Sequence, residues 1–116
     1  MSKTSPDSQV LERLFAVIES RKGADPESSY TAKLFGKGLK KISQKLGEES
    51  SETIIAALVE DEEALAGESA DLLYHLLVLW SARGLDPEKV WAKLAEREGV
   101  SGLEEKAARK KGDKQP

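Results

Sequence analysis

The sequence contains no cysteine. Disulfides, thiol nucleophiles, zinc fingers and iron–sulfur ligation are therefore excluded. Its single histidine, His75, excludes a multi-histidine metal site within one chain. Aromatic residues make up only 5% of the chain. Long apolar runs are also missing. The longest, Leu76 to Trp80, is far too short to cross a bilayer. The N-terminal MSKTSPDSQ has no apolar core of the secretory type. Nor is there a basic excess: 18 basic residues face 21 acidic ones, a net charge of −3. That near-balance argues against a general nucleic-acid binder. A soluble, cytoplasmic protein is expected, with neither nucleic acid nor membrane as partner.

The 116 residues, 39% of them hydrophobic, suit one domain with a modest core. Gly and Pro fall between segments, β-branched runs are nearly absent, and the texture is all-helical. A first helix is expected from about Ser5 to Arg21, with Ser5 as its cap and Pro6 in its first turn. Val10, Leu11, Leu14, Phe15 and Ile18 form its apolar stripe, and Gly23 ends it. The turn-rich stretch from Ala24 to Gly38 leaves room for a short helical piece, Tyr30 to Phe35. Leu39 to about Glu60 is helical again. Its apolar positions are Leu39, Ile42, Leu46, Ile54, Leu58 and Val59. The stretch Asp61 to Gly67 reads as a connection. A central helix follows from Glu68 to Ala82, apolar almost all round, with Gly84 as its stop. Asp86-Pro87-Glu88 starts a last helix, with Val90, Trp91 and Leu94 on its inner face. The sequence thus predicts one all-α domain over residues 1–116. It is a four-helix bundle with a short extra helix, and about 1–6 and 111–116 are flexible tails. The central helix leaves apolar surface uncovered in a monomer, so a dimer is expected.

The informative residues are acids on helices. Glu49 and Glu52 are i, i+3, and Glu48 and Glu52 are i, i+4. Glu68 and Asp71 form a second i, i+3 pair on the following helix. If the two helices run antiparallel, the pairs face one another. Like charges at such spacing repel unless something compensates. A hard divalent cation does so. Carboxylates without cysteine or a histidine cluster suit Mg²⁺, or Mn²⁺ in its place, better than Zn²⁺ or Cu²⁺. The alternative is an ordinary solvated helix face, the reading given to Glu60, Asp61, Glu62 and Glu63. Asp71 stands directly before the apolar core run, where an unpaired acid is expensive to bury.

Lys33, Lys37, Lys41 and Lys45 recur every four residues, with Lys40 alongside. If the backbone stays helical through Gly36 and Gly38, they form one stripe leading to Glu49. A cationic stripe running into a metal-binding acidic cluster suits a polyphosphate. Exposed, solubilising lysines are the alternative. His75, at i+4 from Asp71, either orients that carboxylate, carries a proton or packs in the core as a satisfied histidine.

Three segments carry a resemblance: Ser29-Tyr30-Thr31-Ala32-Lys33-Leu34; Lys45-Leu46-Gly47-Glu48-Glu49-Ser50-Ser51-Glu52; and Glu68-Ser69-Ala70-Asp71 running through Tyr74-His75 to Leu79. Together with Gly102 to Ala107, they resemble the phosphoribosyl-ATP pyrophosphohydrolases of histidine biosynthesis. These lie within the wider MazG-type all-α nucleotide pyrophosphohydrolase superfamily. The resemblance implies hydrolysis of phosphoribosyl-ATP to phosphoribosyl-AMP and pyrophosphate, Mg²⁺ dependence and a helical homodimer. It implies that Glu49, Glu52, Glu68 and Asp71 are the Mg²⁺ ligands. Glu48 becomes a further ligand or the base that deprotonates water. Lys45 and Lys33 would hold phosphates, with Lys37 on the same stripe. Tyr30 and Thr31 would contact substrate phosphate, ribose or base. The phosphoribosyl-AMP cyclohydrolase that acts next is expected on a separate chain. Arg97, Arg109 and Lys110 either close over the phosphates or belong to a disordered tail.

Two rivals share parts of this pattern. One is a MazG-type enzyme that hydrolyses non-standard nucleoside triphosphates. The other is a non-catalytic helical interaction module whose acids are surface charge.

Overall fold

The computed structural model describes residues 9–98. Among them are five helices and no strand: α1 (Val10–Ser20), α2 (Tyr30–Lys37), α3 (Leu39–Val59), α4 (Glu62–Arg83) and α5 (Pro87–Ala95). The all-α expectation is met. The predicted cap at Ser5, the tails at 1–6 and 111–116, the segment Gly102 to Ala107, Arg109 and Lys110 all lie outside the described residues.

The helix ends follow from local chemistry. Ser29 caps α2 by accepting from the Ala32 amide at 3.1 Å. That bond fixes the short helix at Tyr30, and it runs to Lys37, two residues past the predicted end. Gly38 is both the last cap of α2 and the first cap of α3, at φ +91 and ψ 169. This backbone region is essentially glycine-only. The helical path therefore breaks there, and the single lysine stripe does not form: Lys33 and Lys37 lie on α2, and Lys40, Lys41 and Lys45 on α3.

The largest difference from expectation is the start of α4. Asp61 to Gly67 is not a connection. Asp61 caps the helix by accepting from the Ala64 amide at 2.9 Å, and the helix begins at Glu62. Glu62 and Glu63 occupy the first turn, where the helix dipole favours negative charge. Only Glu60 and Asp61 are left to join α3 to α4. The far end of α4 closes as expected. Gly84, left-handed at φ 70, donates to the Ser81 carbonyl, and Leu85 donates to that of Trp80.

The two long helices run antiparallel. Thr53 lies against Glu68 and, one turn further from the link, Glu49 lies near Asp71. Helix α1 packs on α4, and α2 lies against α3 and α4. Ile18, Leu34, Ile42, Leu77 and Val78 form the buried core, one or two from each of these four helices. Leu11, Leu14, Phe15, Phe35, Tyr74 and Trp80 pack around it. At the rim, buried Ser81 donates its hydroxyl proton to the Glu19 carboxylate. Lys22 bonds the Ser81 carbonyl at 2.7 Å and pairs with Glu19 at 3.1 Å.

The predicted apolar faces are corrected at several positions: Val10 on α1 and Leu39 at the start of α3, expected inside, are exposed. Ile54, Leu58 and Val59 are not in the core; together with Ile55 they are exposed, Leu58 and Val59 at 77%. The uncovered apolar surface therefore lies at the end of α3 rather than along α4, where Leu73 is the exposed large hydrophobic. The physical reason is the two-residue link. It holds the ends of α3 and α4 together as a hairpin, and α1 and α2 contribute their core residues at the other end, around Ile42 and Leu77.

The described residues divide into two compact units, the second beginning at Asp86. In that unit, Asp86 caps α5 by accepting from the Glu88 amide at 2.9 Å, with Pro87 in the first turn, as the sequence predicts. Helix α5 has no fully buried residue. Val90 and Trp91 are half-buried, and Leu94, expected inside, is exposed.

Candidate active site

The paired long helices bring together acids that are distant in sequence. One carboxylate oxygen from each of Glu49, Glu68 and Asp71 lies within 4.8 Å of the other two. Glu49 comes from α3, and Glu68 and Asp71 from α4. Glu52, one turn along α3, acts electrostatically on both Glu49 and Glu68. The four predicted ligand positions thus share one locality, and three of them form a compact set.

Glu49 is the buried member, only 8% exposed, and its Oε2 has no hydrogen-bond partner. An orphaned buried carboxylate oxygen is costly. Asp71 itself is exposed, so the expensive buried acid is Glu49 and not, as the sequence suggested, Asp71. Burial pushes the Glu49 carboxyl above the usual carboxylate range. Glu52 and Asp71 push it further, and His75 opposes them. Desolvation, then Glu52 and Asp71, raise Glu68 as well. The electrostatics are those of crowded carboxylates whose burial and mutual repulsion outweigh the positive charge nearby. A hard divalent cation bound by oxygen would relieve both the crowding and the orphaned oxygen, so this donor set fits Mg²⁺ or Mn²⁺.

Thr53 holds the helices in register here, and no spacing or motif in the sequence singles it out. Its hydroxyl lies 2.8 Å from the Glu49 carbonyl and 3.1 Å from the Glu68 carbonyl, with one proton shared between them.

Glu48 is exposed and stands outside the compact set. Gln44 donates to its Oε2 at 3.2 Å and Lys45 to its Oε1 at 3.4 Å. These bonds hold its carboxyl below the usual range, and the Glu48 bond raises Lys45. Lys45 is half-buried, whereas Lys33 and Lys37 are exposed. Neither the Lys33 nor the Lys37 ammonium makes a hydrogen bond or ion pair among the described residues.

Helix α2 delivers the aromatic part of the site. The Tyr30 hydroxyl is 3.2 Å from His75 Nε2, and the Thr31 hydroxyl bonds the Tyr74 hydroxyl. The Tyr30 and Tyr74 rings stack with centroids 6.3 Å apart, and both rings meet the His75 ring edge-on. His75 is buried and both its nitrogens are partnered. Its Nδ1 bonds the main-chain carbonyl of Asp71 at 2.7 Å rather than the carboxylate. Tyr74 went unremarked as a site residue because it sits inside the apolar run. Arg97 lies in the second unit and is exposed.

An all-α chain whose two longest, antiparallel helices carry facing carboxylates at their crossing has the architecture of the MazG-like superfamily. The family described as phosphoribosyl-ATP pyrophosphohydrolase matches residues 11–98. The chain belongs to that family. A relative from Azospirillum brasilense is 59% identical over 110 residues, 95% of this chain and 99% of the relative. One from Paramagnetospirillum magneticum is 61% identical over 105 residues, 90% of this chain and 96% of the relative. One from Rhodospirillum rubrum is 59% identical over 106 residues, 91% of each. All three are named phosphoribosyl-ATP pyrophosphatase. No helix among the described residues is long and apolar enough to cross a membrane.

Proposed function

We propose that this chain hydrolyses phosphoribosyl-ATP to phosphoribosyl-AMP and pyrophosphate, the second step of histidine biosynthesis, in the cytoplasm and with Mg²⁺ as cofactor. The observation that carries this reading is the Glu49–Glu68–Asp71 cluster with its orphaned, buried Glu49 oxygen. Near-full-length identity of about 60% to relatives named for this activity supports the choice of substrate.

In this reading Glu49, Glu52, Glu68 and Asp71 hold the cation. Mg²⁺, when bound, supplies charge neutralisation on the phosphate oxygens and an acidified water. The remaining work falls to the chain. Lys45 binds a phosphate oxygen and leaves Glu48 to do so. Freed from that lysine, the Glu48 carboxylate becomes more basic and accepts the proton of the attacking water. Lys33 and Lys37, exposed on the helix that also bears Tyr30 and Thr31, add positive charge toward the phosphate chain. The product, phosphoribosyl-AMP, passes to a separate cyclohydrolase. The exposed apolar end of α3 favours a homodimer.

The test is pyrophosphate release from phosphoribosyl-ATP and from ATP, each with and without Mg²⁺. Mg²⁺-dependent release from phosphoribosyl-ATP alone is expected. Release from non-standard triphosphates instead would move the chain to a house-cleaning role. No release from any of them by folded protein would overturn the enzymatic reading.

A further inference from the structure

Glu48 is the meeting point of three donors on one face of α3. Lys41, Gln44, Lys45 and Glu48 stand at i, i+3, i+4 and i+7, so all four share that face. Gln44 donates to Glu48 Oε2 at 3.2 Å and Lys45 to Oε1 at 3.4 Å, so each carboxylate oxygen has its own donor. The Lys41 charge, one turn further back, acts on Glu48 as well. Lys41 and Lys45 are half-buried, while Lys40, turned about 100° away, is exposed. Lys45 is also the link to the rest of the site: besides Glu48, the Tyr30 phenol and Glu49 act on it electrostatically.

An ammonium has three hydrogens and a primary amide two, and Glu48 takes one each from Lys45 and Gln44. The face therefore has donors to spare for an anion with more oxygens than a carboxylate. Exposed pairs within one helix contribute little, so a polyanion displaces the Glu48 carboxylate easily. The face also has a direction. Lys45 precedes Glu49 by four residues and Lys41 by eight, about 6 and 12 Å along the helix axis. A phosphate chain whose scissile group sits at the acidic cluster brings to this face the phosphates bonded directly to that group. A phosphate carried beyond a base and a second sugar has no such tether.

We propose that Lys41, Gln44 and Lys45 form the subsite for the pyrophosphate end of the substrate, and that the Glu48 carboxylate is the internal anion which that pyrophosphate displaces. This rests on the proposed hydrolysis of phosphoribosyl-ATP. It adds Lys41 and Gln44 to the binding residues and assigns the phosphates they hold.

The test uses the full chain with Mg²⁺. Wild type decides the underlying reading first: if it releases no pyrophosphate from phosphoribosyl-ATP, that reading fails and this inference with it. Given release, calorimetry measures the binding of inorganic pyrophosphate, and product inhibition is measured with pyrophosphate and with phosphoribosyl-AMP. Lys41→Met should weaken pyrophosphate binding about tenfold, as for loss of one charge-assisted bond, and Gln44→Leu about three- to tenfold. Inhibition by phosphoribosyl-AMP should stay as in wild type. Lys41→Arg keeps the charge and should retain most of the affinity. Lys40→Met removes the same charge from the other face and should leave pyrophosphate binding unchanged; an equal loss there would show net charge alone at work and overturn the proposal. Glu48→Gln should bind pyrophosphate more tightly than wild type, because the competing carboxylate is gone, and weaker binding would overturn the exchange. Unchanged pyrophosphate affinity in Lys41→Met or in Gln44→Leu, or a loss confined to phosphoribosyl-AMP, would overturn the subsite. Thermal melting checks the fold of each variant, and should Lys41→Met fail to fold, the exposed Gln44→Leu still decides.

Discussion

The Thr53 hydroxyl reaches the main-chain oxygen of Glu68 at 3.1 Å while lying 2.8 Å from that of Glu49. One small side chain thereby ties α3 to α4 at the level of the acidic cluster. Thr53→Val preserves shape and removes the bond. A cost of about 1 kcal/mol is expected, or roughly 4–8 °C in Tm for a domain of this size. Cation affinity should fall by about tenfold, as for other groups that orient ligands from behind. Thr53→Ser should keep both properties. Calorimetric Mn²⁺ titration and thermal melting of the two variants check this. A Thr53→Val protein with unchanged Tm and unchanged Mn²⁺ affinity would remove Thr53 from the site's support.

Glu49 gives the cluster an inverted stability signature. Its carboxylate is buried near Glu52 and Asp71, and burial and these acids outweigh the opposing effect of His75, so without metal its ionised form opposes folding. In EDTA near pH 8, Glu49→Gln should melt higher than wild type. With Mg²⁺ the order should reverse, because wild type gains stability from the bound cation and the variant does not. Pyrophosphate release should drop by at least about a hundredfold. Differential scanning calorimetry with and without Mg²⁺ gives the comparison. A wild-type Tm indifferent to Mg²⁺ would argue for an ordinary acidic surface.

How far the site was legible in the sequence depended on the length scale of the information. Caps are local, so Asp86-Pro87 and Gly84 marked real helix ends. The stretch Asp61 to Gly67 was local too, yet it misled. The same acids that make a solvated loop also make a good first turn, and only the Asp61 bond to Ala64 separates the two. The i, i+3 spacing put Glu49, Glu52, Glu68 and Asp71 in one place but did not say which would be buried. Adjacent helical residues point about 100° apart, so Glu49 turns inward while Glu48 pairs with Lys45 on the surface. The lysine stripe needed helical backbone through Gly38, and φ +91 there denies it. Periodicity also found the apolar positions at the end of α3 without revealing that no element of the described residues covers them. That depends on where α1 and α2 land, which is tertiary information.

Glu19 carries a pH dependence of the opposite kind. The Ser81 hydroxyl holds its carboxyl below the usual carboxylate range; burial opposes it, and Lys22 adds to the lowering. A lowered folded-state pKa contributes stability above the unfolded-state value, and that stability is lost as pH falls through the folded-state value. The bond is therefore in full force at neutral pH and fades below about pH 4.5, the ordinary value. Ser81→Ala should lower Tm at pH 7 by several degrees, and the gap to wild type should narrow as the solution is acidified toward pH 3. The carboxylate is partly exposed, so solvent screening keeps the effect near the low end for a charge-assisted bond, about 1 kcal/mol. Melting curves between pH 7 and 3 measure it. A gap that stays constant over that range would assign the loss to packing around Ser81 rather than to Glu19.

Leu58 and Val59 stand at 77% exposure beside Ile54 and Ile55, at 60% and 51%, on the last turns of α3. Four large aliphatic side chains on adjacent turns form a patch that an isolated monomer has no reason to keep in water. A self-complementary contact between two such ends would remove it, as a two-fold dimer requires. Leu58→Glu should therefore shift the solution mass from dimer to monomer, because the contact would have to bury a charge. It should leave the core of the monomer intact, since none of Ile18, Leu34, Ile42, Leu77 and Val78 is changed. Light scattering coupled to size exclusion reads the mass, and circular dichroism reads the fold. A wild-type chain that runs as a monomer at tens of micromolar, or a Leu58→Glu protein that remains dimeric, would show that the α3 end is not where two copies meet.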